Sequence, residues 1–286
     1  MTADTLQVFT VQANGLRFAC LGAGQGPLVL CLHGFPDTAH SFEPLLRALA
    51  GAGYRAVAPF MRGYAPSGLA PDGDYRTTTL GADVLALIEA LGAEQAVLIG
   101  HDWGALAAYV ASVTAPHRVS RLVMASIPHP RRILWWPGFR QLWRSRYIGL
   151  FQLSRWPERR IRAADFAWLH GLIRAWSPGW AFTPADLAPV QAVLSDPRCL
   201  AAALAYYRQL PRTLRQSAHL LRRPVSVPAL SLHGAQDGCM GAELFTGQEP
   251  FFTLPLTRVT LPDAGHFLFH EAPAATERCL LDFLRA

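Results

Sequence analysis

The sequence predicts an α/β protein with a mostly parallel, twisted sheet, helices on both faces and a helical segment inserted after the sixth strand. Three observations carry this expectation. From Leu28 to Ala125, short apolar runs of strand length alternate with segments of helix length. One such unit, Ala96 to Pro116, reads as buried strand, tight turn and helix, with Gly100-His101-Asp102-Trp103-Gly104 at the bend. Strand character then stops at Pro128 and returns only at Pro228.

In chain order, Leu6 to Leu21 reads as a β-hairpin, because Gln12-Ala13-Asn14-Gly15 places an Asn-Gly turn between two mixed runs. Leu28 to Leu32 is a buried strand ending in His33-Gly34-Phe35-Pro36. A helix over His40 to Ala50, a strand over Arg55 to Pro59, a loop around Arg62-Gly63-Tyr64 and a helix over Thr78 to Leu91 follow. The strand Ala96 to Ile99, the helix Gly104 to Ala115 and the strand Leu122 to Ala125 complete the first half. From His129 to about Pro224 the chain is arginine-rich and helical, with seven of the eight tryptophans between Trp135 and Trp180. Strands return at Pro228 to Leu232, again followed by His-Gly, and at Arg258 to Leu261, before Pro262-Asp263-Ala264-Gly265-His266; a helix over Ala274 to Leu284 closes the chain. The expected division is a core of residues 1–128 and 225–286 and a helical cap of residues 129–224.

Composition narrows the function. A chain of 286 residues with 51% hydrophobic content can build one large core with an insertion. The N-terminus lacks the basic and apolar regions of a leader, and no apolar run is long enough to span a bilayer, so a cytoplasmic protein without membrane contact is expected. Five cysteines without CxxC or CxxH spacing suggest reduced, buried thiols rather than disulfides or zinc; no metal or cofactor is expected. The net charge of +6 comes from arginine alone, interleaved with tryptophan and leucine, and with no recognition motif a nucleic-acid partner is not expected.

The chemistry-bearing residues fall in the order Asp102, Asp237, His266, each just after a predicted strand. In an open parallel sheet, side chains beyond the carboxyl ends of strands converge on one crevice. Taken singly, each has a structural reading: Asp102 as a helix N-cap, Asp237 in an Asx turn, and His266 no different from His33, His101, His233 or His270. Taken together they form a triad in which an aspartate stands at the apex of a G-x-D-x-G turn. Aspartate is ionised at neutral pH and needs no base to act as a nucleophile, while Asp237 would hold the His266 imidazole in one tautomer.

These motifs resemble those of α/β-hydrolases of the epoxide hydrolase group. The similarity spans almost the whole chain, through HGFP at His33 to Pro36, GHDWG at Gly100 to Gly104, GAQD at Gly234 to Asp237 and AGHF at Ala264 to Phe267. It implies a cis peptide before Pro36 and an oxyanion hole from the backbone N–H groups of Phe35 and Trp103. It also implies two tyrosines above the nucleophile, matched here by Tyr147 in Tyr147-Ile148-Gly149-Leu150-Phe151-Gln152 and by Tyr207 before Arg208. Helical periodicity does not separate Tyr207 from Tyr206. The implied reaction converts an epoxide to a vicinal diol through an ester on Asp102, opened with Tyr147 and Tyr207 as acids and hydrolysed by water that His266 and Asp237 activate. Substrate contacts are expected from Phe35, Trp103, Phe151, Gln152 and Phe267, with Trp135, Trp136, Trp143 and Trp176 as candidate walls of an apolar pocket. The expected partners are a small apolar epoxide and water, with the chain a monomer or homodimer. Haloalkane dehalogenases share the first step but commonly carry asparagine after His-Gly, where Phe35 offers no side-chain donor, and fluoroacetate dehalogenases carry arginine where Trp103 stands. Asp102 excludes a serine-type esterase. A ligand-binding protein on the same fold could retain the triad, and turnover of a simple epoxide would distinguish it.

Overall fold

Residues 5–135 and 138–286 are described by a computed structural model. The first strands, β1 (Gln7–Ala13) and β2 (Leu16–Ala23), form a hairpin whose turn residues, Asn14 and Gly15, both have positive φ. A two-residue hairpin loop demands that conformation, which is why Asn-Gly marks it. β1 is largely exposed, as befits a sheet edge. The remaining strands are β3 (Leu28–Leu32), β4 (Arg55–Pro59), β5 (Ala96–His101), β6 (Val119–Ala125), β7 (Ala229–Gly234) and β8 (Leu256–Leu261). All eight lie in one sheet, ordered β1-β2-β4-β3-β5-β6-β7-β8, antiparallel at the hairpin and its junction with β4 and parallel elsewhere.

β3, β5 and β7 are buried at every position, so both faces of the sheet are covered. The helices of the first half are α1 (Glu43–Gly51), α2 (Thr77–Ala90) and α3 (Trp103–Thr114). α1 is preceded by a short 3₁₀ turn at Ala39–Phe42, so the predicted helix starts in two pieces, with Pro44 in the first turn of the regular part. Between β6 and β7 run α4 (Pro130–Trp135), α5 (Gly138–Arg144), α6 (Arg146–Phe151), α7 (Trp156–Arg162), α8 (Ala167–Trp176), α9 (Pro184–Ser195), α10 (Pro197–Arg208) and α11 (Leu210–Ser217). The chain ends in α12 (Leu268–Glu271) and α13 (Pro273–Arg285). α2 packs on α3, and α1 on α13. Among the described residues no helix is long and apolar enough to cross a membrane.

The order of the strands places the site. The chain leaves β3 toward β4 on one side and returns to β5 on the other, so a crevice opens where the connections diverge. The loops after β3 and β5, carrying His33 to Pro36 and Asp102, meet there.

Candidate active site

Asp102 stands between β5 and α3 with φ 50° and ψ −119°, a conformation that side chains other than glycine rarely hold. Two glycines permit the bend. A Cβ on Gly104 would lie 2.0 Å from the Leu32 carbonyl oxygen, and one on Gly34 would lie 2.3 Å from Asp102 Oδ1. The first approach lets α3 begin against β3; the second lets the loop after β3 lie against the carboxylate. Phe35 N–H then donates to Asp102 Oδ1 at 2.7 Å. Trp103 is the first residue of α3, so its N–H has no acceptor within the helix. The Phe35–Pro36 peptide is cis. His33 pins this loop, donating from Nδ1 to the Gly34 carbonyl at 3.0 Å and accepting the Met61 N–H on Nε2 at 2.9 Å. That pattern needs a neutral ring, and burial lowers the His33 pKa to about 4.

His266 Nδ1 donates to Asp237 Oδ2 at 2.9 Å, while Nε2 faces Asp102 Oδ2 at 3.7 Å. Asp237 Oδ1 accepts the N–H groups of Cys239 at 2.6 Å and Met240 at 2.8 Å. Both Asp237 oxygens are thus committed, which argues against reading Asp237, Cys239 and His266 as a cation site although their donor atoms lie within 4.8 Å of one another. Burial opposes a charged imidazole, but Asp237 and Asp102 outweigh it and carry the His266 pKa up to about 10. The direction of that shift favours an imidazolium in the resting site. The loop bearing it is fixed by Ser177, just after α8, whose Oγ accepts the N–H groups of His266 at 2.9 Å and Phe267 at 3.1 Å and donates to Glu271. His101 Nε2 and Ser126 Oγ donate to the His266 carbonyl at 2.8 and 2.7 Å.

Tyr147 on α6 and Tyr207 on α10 come to the same place. The Tyr207 ring stands edge-on to Trp103 at 4.9 Å, Phe151 at 5.0 Å, Phe35 at 5.5 Å and Tyr147 at 5.8 Å between centroids. Its buried hydroxyl meets the Trp103 side chain, whereas the Tyr147 hydroxyl lies 3.7 Å from Cys239 Sγ. Burial pushes both phenols well above their ordinary pKa, and the Asp102 carboxylate pushes the same way, so both are protonated. Tyr206 is different in kind. Its hydroxyl donates to the Arg62 carbonyl at 2.7 Å and its ring stacks on Tyr75, while the Arg62 guanidinium is held by both oxygens of Asp83.

Of the expected contact residues, Phe35, Trp103 and Phe151 surround Tyr207, but two others lie elsewhere. Gln152 faces solvent: α6 ends at Phe151, the chain turns outward, and the amide donates to the carbonyls of Tyr207 at 3.0 Å and Ile148 at 3.3 Å, tying α6 to α10. Phe267 is buried beside His266 and Trp180 and borders a separate pocket of about 150 Å³ together with His270. Trp176 is buried against Tyr147 at 4.9 Å and His266 at 5.2 Å. Trp143 is 62% exposed and borders an outer groove of about 750 Å³, whose lining also includes Tyr147 and Trp176. Trp136 and the side chain of Trp135 lie outside the described residues. Sequence reasoning passed over Cys239, Ser177 and Glu271. The run Asp237-Gly238-Cys239 carried a usable signal, an Asx turn two residues deep; Ser177 and Glu271 carried none.

The alpha/beta hydrolase fold family model matches residues 27–273. AB hydrolase superfamily protein YfhM of Bacillus subtilis is 32% identical over 291 residues, covering 99% of either chain. Epoxide hydrolase 4 of Mus musculus is 31% identical across 96% of this chain and 78% of its own length. The crystal structure of epoxide hydrolase A from Mycobacterium thermoresistibile is similar with a TM-score of 0.82 at 30% identity, over 99% of both chains.

Proposed function

The chain belongs to the alpha/beta-hydrolase family, among its epoxide hydrolases, and from that premise we propose that it converts an epoxide to a vicinal diol through an ester on Asp102. Residues 1–128 and 225–286 would form the core and residues 129–224 a cap, with the chemistry where they meet. One observation carries it. The Asp102 carboxylate accepts the Phe35 N–H on one oxygen and faces His266 with the other, beside two buried, protonated phenols.

In the first step Asp102 Oδ2 attacks a ring carbon, and the ring C–O bond breaks with its electron pair left on oxygen. An alkoxide is a poor leaving group, so Tyr147 and Tyr207 donate to it as charge develops. The proton they deliver is made good by the imidazolium, which ends the step neutral. Esterification removes the Asp102 charge, one of the two that raise the His266 pKa. The histidine therefore becomes a base at the moment a base is needed. Water gives a proton to Nε2 and its oxygen to the Asp102 carbonyl, while the N–H groups of Phe35 and Trp103 hold the oxyanion. Collapse releases the diol and restores carboxylate and imidazolium.

The test is the His266→Gln variant mixed with excess styrene oxide. Its intact mass should rise by one substrate mass while diol formation stops. A folded variant that releases diol at the wild-type rate and carries no adduct contradicts the reading.

A further inference from the structure

We propose that Cys239 is a positioning residue for the Tyr147 hydroxyl, so that Asp237 organises the acid side of the site as well as the base. This rests on the ring-opening role given to Tyr147 above. Cys239 Sγ, 3.7 Å from the Tyr147 hydroxyl, is the one hydrogen-bond partner of that group among the described residues, whereas the equally buried Tyr207 hydroxyl meets the Trp103 side chain and no sulfur. The two tyrosines are therefore not equivalent: the Tyr147 hydroxyl is aimed by a thiol and the Tyr207 hydroxyl by Trp103 and ring packing.

Either atom of this pair can be the donor, and donation from the thiol is the arrangement that would serve ring opening. Burial and the nearby Asp237 and Asp102 carboxylates raise its pKa well above the ordinary thiol value, so it stays protonated. An Sγ–H directed at the tyrosine oxygen leaves the phenolic proton free for the ring oxygen. It also supports the negative charge that builds on the phenol as that proton moves across.

The thiol is held from two directions. The Cys239 N–H donates to Asp237 Oδ1 at 2.6 Å, and its carbonyl accepts the Gln141 amide from α5 at 2.9 Å. Gln141 Oε1 closes the clamp on the Gly241 N–H at 3.0 Å. Asp237 thus directs His266 with one oxygen and, through the Cys239 backbone, Tyr147 with the other.

The experiment measures ester formation and ester hydrolysis separately, by single turnover, in Cys239→Ala, Cys239→Ser, Tyr147→Phe and the Tyr147→Phe/Cys239→Ala double variant, with thermal unfolding to establish that each is folded. Cys239→Ala should slow ester formation by about tenfold, the scale of one hydrogen bond, and leave ester hydrolysis unchanged. Cys239→Ser keeps a donor and should restore the rate to within about threefold of wild type. In the Tyr147→Phe background the alanine substitution should have no further effect. Unchanged ester formation in Cys239→Ala, equal slowing of both steps, or the same loss in the Tyr147→Phe background overturns the proposal. If the alanine variant does not fold, Cys239→Val replaces it, and a valine variant as fast as the serine one overturns the proposal equally. A Tyr147→Phe enzyme with wild-type ester formation removes the acid role itself and this inference with it, an outcome distinct from those in which that variant is slow.

Discussion

Asp102 and Asp237 are held by hydrogen bonds from loop backbone and His266 by neighbouring polar side chains, whereas Tyr147 and Tyr207 are held mainly by aromatic edges. On the sheet side, the Asp102 and Asp237 carboxylates accept backbone N–H groups, and His266 is fixed at its ring, its N–H and its carbonyl. On the helical side, Phe35, Trp103, Phe151 and Trp176 surround the two phenols, and the hydroxyls meet only Cys239 Sγ and the Trp103 side chain among the described residues. The contrast follows the chemistry each side would perform. A nucleophile and a base need a fixed direction; an acid must follow an oxygen that moves as the ring opens, and a lightly held hydroxyl on a firmly packed ring can do so.

Removing the sheet side should have the larger effect. Asp102→Ala deletes the bond-forming atom and should lower turnover by about 10⁴-fold or more, with the protein still folded because the change lies at a turn. Steady-state diol formation alongside thermal unfolding checks both halves of that statement. On the helical side, Tyr147→Phe and Tyr207→Phe should each slow ester formation by about 10²-fold, moderated where one phenol covers for the other, and the double variant should be nearly inactive. Tyr206→Phe is the mirror image. It leaves the Arg62 carbonyl without its donor, so it should lower stability by about 1 kcal/mol and spare the chemistry. Equal damage to ester formation from Tyr206→Phe and Tyr207→Phe would erase the distinction between the two neighbours.

The smallest effect is on stability against pH. The His266 pKa is raised in the folded state, so its contribution is complete below about pH 6.5 and lost as pH rises toward about 10. Over that window the wild-type melting temperature should fall more than that of His266→Gln. Parallel melting profiles would mean that the two carboxylates do not hold the imidazole charged.

Much of the sheet side was legible because its residues sit at short, fixed offsets from strand ends. The G-x-D-x-G turn has few backbone solutions, and Asn-Gly placed the hairpin for a similar reason. The resemblance drawn from those same motifs agrees with the family the chain belongs to. The helical side was legible mainly as composition. Gln152 follows Phe151 directly yet faces solvent, because a one-residue step at a helix end turns a side chain through a large angle. Tyr206 and Tyr207 are separated by what they reach, the Arg62 carbonyl for one and Phe35 and Phe151 for the other, and no local pattern encodes either. Ser177 meets the His266 loop across 89 residues and Tyr147 meets Cys239 across 92, distances over which sequence spacing carries no register.

Asp102 either forms a bond to substrate or only activates water. Both routes use carboxylates and give the same diol, but they put solvent oxygen in different places. With enzyme in excess and one turnover in water enriched in heavy oxygen, the ester route predicts a diol almost free of label and an Asp102-containing peptide that has gained it. A labelled diol and an unlabelled Asp102 from the first turnover would contradict the account and leave Asp102 a base.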